Sequence, residues 1–229
     1  MSTNEHLHQA IRSAVSLIES GMVVGLGSGP TAAIAVNCIG DLYRKGEIKD
    51  IVAIPSSITS EDNVRSWDIP VSGFKDHSRI DIVIDGACEV DSDLNLIKTD
   101  GTFLQEKVLA QASERNVYIV PEKAVTDKVG MECHIPVEVA PFARETAQAY
   151  LESLGAVVLL RTNVISKAFR TVHHNLVLDA EFGPIDDPGR LSARLLEHAG
   201  VVQHGLFMGL ATDVFVADAS GARHLRRDR

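Results

Sequence analysis

The sequence predicts an α/β protein: a mostly parallel sheet wound with helices on both faces, joined to a smaller α+β unit. Three observations carry that prediction. Short apolar runs of buried-strand length alternate with stretches of helical periodicity through the first half of the chain, which is the signature of parallel strands with crossover helices. One of those runs closes on a glycine-rich turn that opens the next helix. Beyond residue 132 the order changes to β-α-β-β-α-β, a split arrangement that two antiparallel-paired halves require. A chain of 229 residues holds one large domain or two modest ones.

Element by element, residues 4–19 place Leu7, Ile11, Ala14, Val15 and Ile18 on one helical stripe, with Gly21 as the stop. Met22–Leu26 is an apolar run ending in glycines and reads as a buried strand. Residues 31–43 resume helical character, and Ile51–Ile54 is a second strand closed by Pro55. Ile80–Ile84 is a third strand, a helix starts near residue 103, and Val117–Val120 is a fourth strand. In the later part, Pro136–Val139 reads as a strand, 142–153 as a helix and Ala156–Leu160 as a strand. Ala168–Val172 and Leu176–Asp179 read as a hairpin, Pro188–His198 as a helix, and Val201–His204 closes the unit. Val214–Ala217, with its Ala219-Ser220-Gly221 turn, is expected to return to the first sheet. The whole reads as a doubly wound, Rossmann-like domain (1–132 plus 206–229) and a ferredoxin-like α+β domain (133–205). Ligands of such sheets bind beyond the carboxyl ends of the strands, so chemistry is expected just after Leu26, Ile54, Ile84 and Val120.

Composition narrows the function classes. Hydrophobic residues at 45% and charged residues at 23% are ordinary globular usage. A net charge of -9 argues against a general nucleic-acid binder, because phosphate contacts need clustered Lys and Arg. No apolar run approaches the ~20 residues of a membrane helix. The start, MSTNEHLHQAIRSA, lacks a basic region followed by an apolar core, so a cytoplasmic protein is expected. Three widely spaced cysteines, Cys38, Cys88 and Cys133, argue against a disulfide framework. The nine histidines form no H-E-x-x-H pattern, and His6/His8 and His173-His174 read as surface or hairpin residues, so no metal site is expected.

Three segments carry chemistry. Gly25-Leu26-Gly27-Ser28-Gly29-Pro30-Thr31 sits at a strand-to-helix junction, where backbone N–H groups and the helix dipole suit an anion. It has neither the G-x-G-x-x-G spacing nor the Gly-Lys-Ser/Thr of a nucleotide loop, and a plain tight turn is the alternative. Asp85-Gly86-Ala87-Cys88-Glu89 follows the third strand and puts a carboxylate at the ligand edge; an acidic surface loop is the alternative, and the EF-hand spacing fails. Lys98, then Thr99-Asp100-Gly101, then Glu106 deliver one ammonium and one carboxylate to that edge. This pairing suits proton abstraction beside a carbonyl with stabilisation of the enolate oxygen. The alternative reads Glu106-Lys107 as ordinary helix surface. Cys88 has no recognisable His partner and reads as a small, partly buried side chain rather than a nucleophile.

Taken together these segments resemble ribose-5-phosphate isomerase type A over nearly the whole chain. The resemblance covers Gly25–Thr31 (a GxGTGST-like phosphate loop), Asp85–Glu89 (D-G-A-D-E) and Ile97-Lys98 through Glu106-Lys107. Pro136-Val137-Glu138-Val139-Ala140-Pro141 and the later Gly200–Phe207 segment extend it. It implies cofactor-free interconversion of ribose 5-phosphate and ribulose 5-phosphate through a cis-enediolate, a place in pentose phosphate metabolism, and a homodimer or homotetramer. By position Glu106 would be the base between C1 and C2, Lys98 would stabilise the oxyanion, and Asp85 would orient hydroxyl protons. Ser28, Gly29, Pro30 and Thr31, with Gly86, Ala87, Cys88, Thr99, Asp100, Gly101 and Lys123, would hold the sugar phosphate.

The departures from the family pattern surround that core. Cys88 replaces the second Asp of D-G-A-D-E, Thr99-Asp100-Gly101 replaces a run of glycines, and Pro30 replaces a Ser. Val120-Pro121-Glu122-Lys123 retains only the Lys of D-x-S-K, and the N-terminal Lys has no counterpart beyond the nearby His8. The leading expectation is therefore a ribose-5-phosphate isomerase. A paralogue acting on another phosphorylated sugar and a non-catalytic sugar-phosphate-binding protein are the alternatives.

Overall fold

The computed structural model describes residues 3–100, 103–219 and 221–227. The helix α1 (Thr3–Val15) buries the predicted stripe of Ile11, Ala14 and Val15. β1 (Val23–Leu26), α2 (Pro30–Arg44), β2 (Val52–Pro55) and α3 (Ile58–Arg65) follow, α3 being a helix that the apolar periodicity does not reveal. Its start is set instead by Ser57, whose side chain accepts from the Ser60 N–H, a helix N-cap. Next come β3 (Ile80–Gly86), the two-residue strands β4 (Glu89–Val90) and β5 (Leu96–Ile97), α4 (Phe103–Gln111) and β6 (Ser113–Pro121). The later part holds β7 (Ile135–Val139), α5 (Arg144–Ser153), β8 (Val157–Leu160), β9 (Leu176–Glu181), α6 (Pro188–Leu195) and β10 (Val201–His204). The chain ends in β11 (Leu206–Phe207), β12 (Asp213–Asp218) and β13 (Gly221–Arg226).

Six strands form the main sheet in the order β13-β12-β6-β3-β1-β2, parallel throughout except for the edge strand β13. β12 thus returns to the first sheet as the sequence predicts. One face is covered by α1 and α2 through Ile11, Val36, Ile39, Ile82, Ile84 and Val117. The other carries α4 and a three-stranded sheet, β11-β5-β4, packed through Phe103, Tyr118, Val216 and Phe207. From β1 the chain steps outward to β2 and then back past β1 to β3. The strand order therefore reverses between β1 and β3, where a parallel sheet opens its ligand crevice.

The second sheet is antiparallel, in the order β10-β7-β9-β8, and its β-α-β-β-α-β succession is ferredoxin-like. The expected hairpin is corrected here. Ala168–Val172 is not a strand, Ala168 makes a single bridge to Thr162, and β9 pairs with β7 and β8 instead. Local bonds capture the intervening segment: Thr171 Oγ1 and Asn175 Nδ2 both donate to the Glu138 carboxylate. Side chains that bond nearby groups in this way compete with a ladder.

Candidate active site

The turn after β1 is shaped by what it approaches. A side chain at Gly27 would overlap the Asp85 carboxylate, and Gly29 sits at φ 91, a conformation that favours glycine. Pro30 occupies the first turn of α2, where no N–H is needed. Between the glycines, the Ser28 backbone N–H and Oγ donate to Glu106 Oε1 at 3.1 and 2.5 Å. Glu106 lies in the first turn of α4, where a helix N-terminus favours a carboxylate, and is 1% exposed. The alternative that Glu106-Lys107 is helix surface fails, because both side chains are buried.

Asp85 projects from the end of β3 and Lys98 follows β5. Lys98 Nζ donates to Asp85 Oδ2 at 2.7 Å and to the Gly86 carbonyl at 2.7 Å, and stands 3.4 Å from Glu106 Oε2. Its backbone N–H donates to the Gly205 carbonyl, and the rings of Tyr118 and Phe207 lie 5.9 Å from the ammonium. Asp85 accepts the Gly86 N–H as well. Burial pushes the Asp85 carboxyl up to about 7 despite the attraction of Lys98, with Glu106 adding to the rise. Burial alone would lower Lys98, but two facing carboxylates raise it, so the ammonium keeps its proton. The same carboxylates, after burial, drive the Tyr118 hydroxyl well above its ordinary range. Apart from Lys98 at 3.4 Å, Glu106 Oε2 has no hydrogen-bond partner among the described residues.

A cavity of about 140 Å³ opens over this cluster, lined by Ser28, Gly29, Pro30, Thr31, Gly86, Ala87, Cys88, Lys98, Thr99 and Asp100. Ten of the fourteen residues singled out from sequence thus share one wall. Asp85 and Glu106 lie directly beneath it, bonded to Lys98 and Ser28. Gly101 lies outside the described residues. Lys123 is exposed on a short 3-10 turn after β6 and is not on the wall. His8 lines a separate cavity between α1 and α2. A second cavity of about 560 Å³ shares Ser28, Gly29 and Asp100 and extends to Asp179 of the antiparallel sheet and to His134, Arg161 and Phe169 in the segments flanking its strands. There Arg161 donates to Asp179, whose carboxyl, though raised by burial, is held below its ordinary value by bonds from His134 and Arg161.

The expectation for the cysteines is corrected: Cys88 and Cys133 form a disulfide, with Cα atoms 6.5 Å apart, and Cys38 is free. Wide spacing in sequence carries no information about loops that a third residue draws together. That residue is Glu89, whose buried carboxylate accepts the N–H groups of Gly130, Glu132 and Cys133. Glu89 was legible only as a letter of the acidic motif. Two other supports went unseen. Lys107 Nζ donates to Gln203 Oε1 and the His204 carbonyl at 2.8 Å each, with burial lowering its pKa to about 7. Gly205, just beyond, carries the carbonyl that fixes the Lys98 backbone.

A buried carboxylate–ammonium–carboxylate cluster at the β1/β3 crevice, beneath a glycine turn that opens a helix, defines a protein built to move protons on a small anionic ligand. The model of the ribose 5-phosphate isomerase A (phosphoriboisomerase A) family matches residues 52–221. A ribose-5-phosphate isomerase A of Desulfatibacillum aliphaticivorans is 52% identical over 219 residues, 95% of each chain. The solved ribose 5-phosphate isomerase A of Methanocaldococcus jannaschii is 30% identical and superposes with a TM-score of 0.92, covering 98% of this chain and 100% of its own. A D-ribose-5-phosphate isomerase solved with phospho-erythronic acid is 32% identical, with a TM-score of 0.96 over 99% of this chain and 100% of its own. The chain belongs to the ribose-5-phosphate isomerase A family. Among the described residues no helix is long and apolar enough to cross a membrane.

Proposed function

We propose that the chain interconverts ribose 5-phosphate and ribulose 5-phosphate by proton transfer through an enediolate. The observation that carries this reading is the contact set of Lys98, which touches both buried carboxylates and lines the cavity. Glu106, oriented through Oε1 by Ser28, takes the carbon-bound proton on Oε2 and returns it to the neighbouring carbon. Lys98 stabilises the oxygen that becomes negative in the enediolate, and it acts in a water-poor site where a fixed charge is most effective. Asp85, raised toward neutrality, passes or orients hydroxyl protons of the sugar. The N–H groups of Gly29 and Thr31 at the N-terminus of α2 receive the phosphate, the Ser28 N–H being taken by Glu106 and Pro30 having none. Residues 1–132 and 206–229 form the catalytic domain on this reading, and 133–205 the ferredoxin-like one. The protein acts in the cytoplasm as a homodimer or homotetramer, for which the exposed Val157 and Leu159 of the edge strand β8 supply apolar surface.

Glu106→Gln tests the assignment, since it keeps the shape and removes the base. Conversion of ribose 5-phosphate, followed by the ketose absorbance, is expected to fall by roughly 10²–10⁴-fold, the range for a positioned general base, with the thermal transition intact. A folded variant that retains full turnover removes Glu106 from the reaction.

A further inference from the structure

One half of the disulfide, Cys88, lies on the cavity itself. Cys88 lines the wall two residues after Gly86, whose carbonyl holds Lys98 Nζ, and Cys133 stands two residues before β7. Both residues are half-buried, so a small reductant reaches the bond. A chain of this size buries enough core to fold without a staple, and the bond joins two loops rather than two core elements. Its neighbourhood is also arranged independently of the sulfurs. The Glu89 carboxylate accepts three backbone N–H groups of the 130–133 turn, including that of Cys133, contacts that do not involve the sulfurs. The Cys88 N–H is likewise held by the Ile97 carbonyl.

We propose that Cys88 and Cys133 are a reversible dithiol–disulfide site that sets substrate affinity at the isomerase pocket, the disulfide form binding the sugar phosphate more tightly. The effect on affinity rests on the proposed function; the bond's reversibility does not. In the closing direction a low-molecular-weight disulfide takes two electrons from the two thiols and leaves as two thiols, while the Cys88–Cys133 bond forms. In the opening direction a dithiol gives up two electrons and two protons, becomes a cyclic disulfide, and leaves two protein thiols. With the bond closed, the Gly86–Cys88 wall is tied to the start of β7 and the carbonyl facing Lys98 is fixed. With it open, the wall keeps the Glu89 and Ile97 contacts but gains freedom that binding must remove. Because linkage is reciprocal, bound substrate favours the closed bond by the same factor by which closure favours substrate.

The test uses the full chain with Cys38→Ser, so that only the pair can react. After treatment with glutathione disulfide, non-reducing peptide mapping should show the 88–133 linkage, and dithiothreitol should remove it reversibly. Ribose 5-phosphate affinity by titration calorimetry is expected to weaken on reduction by about fivefold, within the usual size of a coupling between sites, and KM should rise in parallel with little change in kcat. The glutathione ratio for half-oxidation should shift by the same factor when ribose 5-phosphate is saturating. Cys133→Ser should bind like the reduced form and ignore reductant; if it does not fold, the reduced parent gives the same comparison. Failure of the linkage to form, or equal affinity in both states, overturns the proposal. Absence of turnover in both states, with affinity still shifting, overturns the isomerase reading instead.

Discussion

Removing the ammonium from between its two carboxylates is the sharpest perturbation available. Lys98→Met keeps the length and apolar stem of the side chain and deletes three contacts: Asp85 at 2.7 Å, the Gly86 carbonyl at 2.7 Å and Glu106 at 3.4 Å. Breaking a buried ion pair from one side costs roughly 3–5 kcal/mol, because a charge is left without a partner. The structure also says how that cost varies with pH. Asp85 titrates near 7 in the folded chain against 3.8 when unfolded. The stability its neutral form contributes is therefore fully present below 3.8 and lost as pH rises through about 7. Without Lys98 the folded value moves higher still, so the variant holds the carboxyl proton at pH 5.5 and is penalised most at pH 8.5. Urea unfolding followed by Trp67, the single tryptophan, measures this. The deficit is expected to be the full roughly 3–5 kcal/mol at pH 8.5 and less than half of it at pH 5.5. A deficit of equal size at both pH values would refute the claim that two buried carboxylates depend on this ammonium.

Asp100 is exposed and lines both cavities, where its charge repels an incoming phosphate. Asp100→Gly should lower the KM for ribose 5-phosphate more at low than at high salt, since screening removes a surface repulsion; an unchanged or higher KM counts against it. His204, lowered to about 3 by burial and by Lys107, is protonated on unfolding from 6.5 downward. Stability should thus decline as pH falls from 6.5 toward 3, and His204→Gln should flatten that slope in urea titrations at pH 7, 6, 5 and 4. Parallel slopes would exclude His204 as the source. Below that window Asp213 dominates. Burial raises its carboxyl, but bonds from Arg115, Thr212 and His224 outweigh this and bring it to about 2, so its contribution is lost only as pH falls from 3.8 through 2.

The legible part of the molecule is the part that repeats a local rule. Val23–Leu26, Ile82–Ile84 and the interior of Ser113–Pro121 are apolar because both sheet faces are covered, and runs of that kind survive any later packing. Ser28, Gly86, Lys98 and Asp100 were found because strand ends of a parallel sheet converge on one edge, so that order along the chain predicts proximity. What stayed hidden depends on side chains that reach across the fold. The Glu89 carboxylate under residues 130–133, the Lys107 ammonium on Gln203 and His204, and the Cys88–Cys133 bond each span forty residues or more without periodicity. The lost hairpin has the same origin in miniature. Val172 and its neighbours have strand-like composition, yet Thr171 and Asn175 find Glu138 and leave no ladder to join.

The proton inventory of the site follows from its charges rather than from any one residue. Two carboxylates and one ammonium, all within a few per cent of full burial, would leave one unbalanced negative charge beside an anionic substrate. A site of this kind relieves the imbalance by holding a proton on the carboxylate that burial penalises most. Burial raises the Asp85 carboxyl to about 7 despite Lys98, while Glu106 Oε2 has only the Lys98 ammonium, at 3.4 Å, as a polar neighbour among the described residues. On the proposed mechanism acid and base are thus separated by environment: Asp85 would carry the mobile proton for oxygen and Glu106 would take one from carbon. On that proposal, arrival of the phosphate at the Gly29–Thr31 turn would add negative potential nearby and strengthen the separation. On the same proposal Ser28, which bonds Glu106 and lines the cavity at once, would be the residue that links a bound substrate to the base.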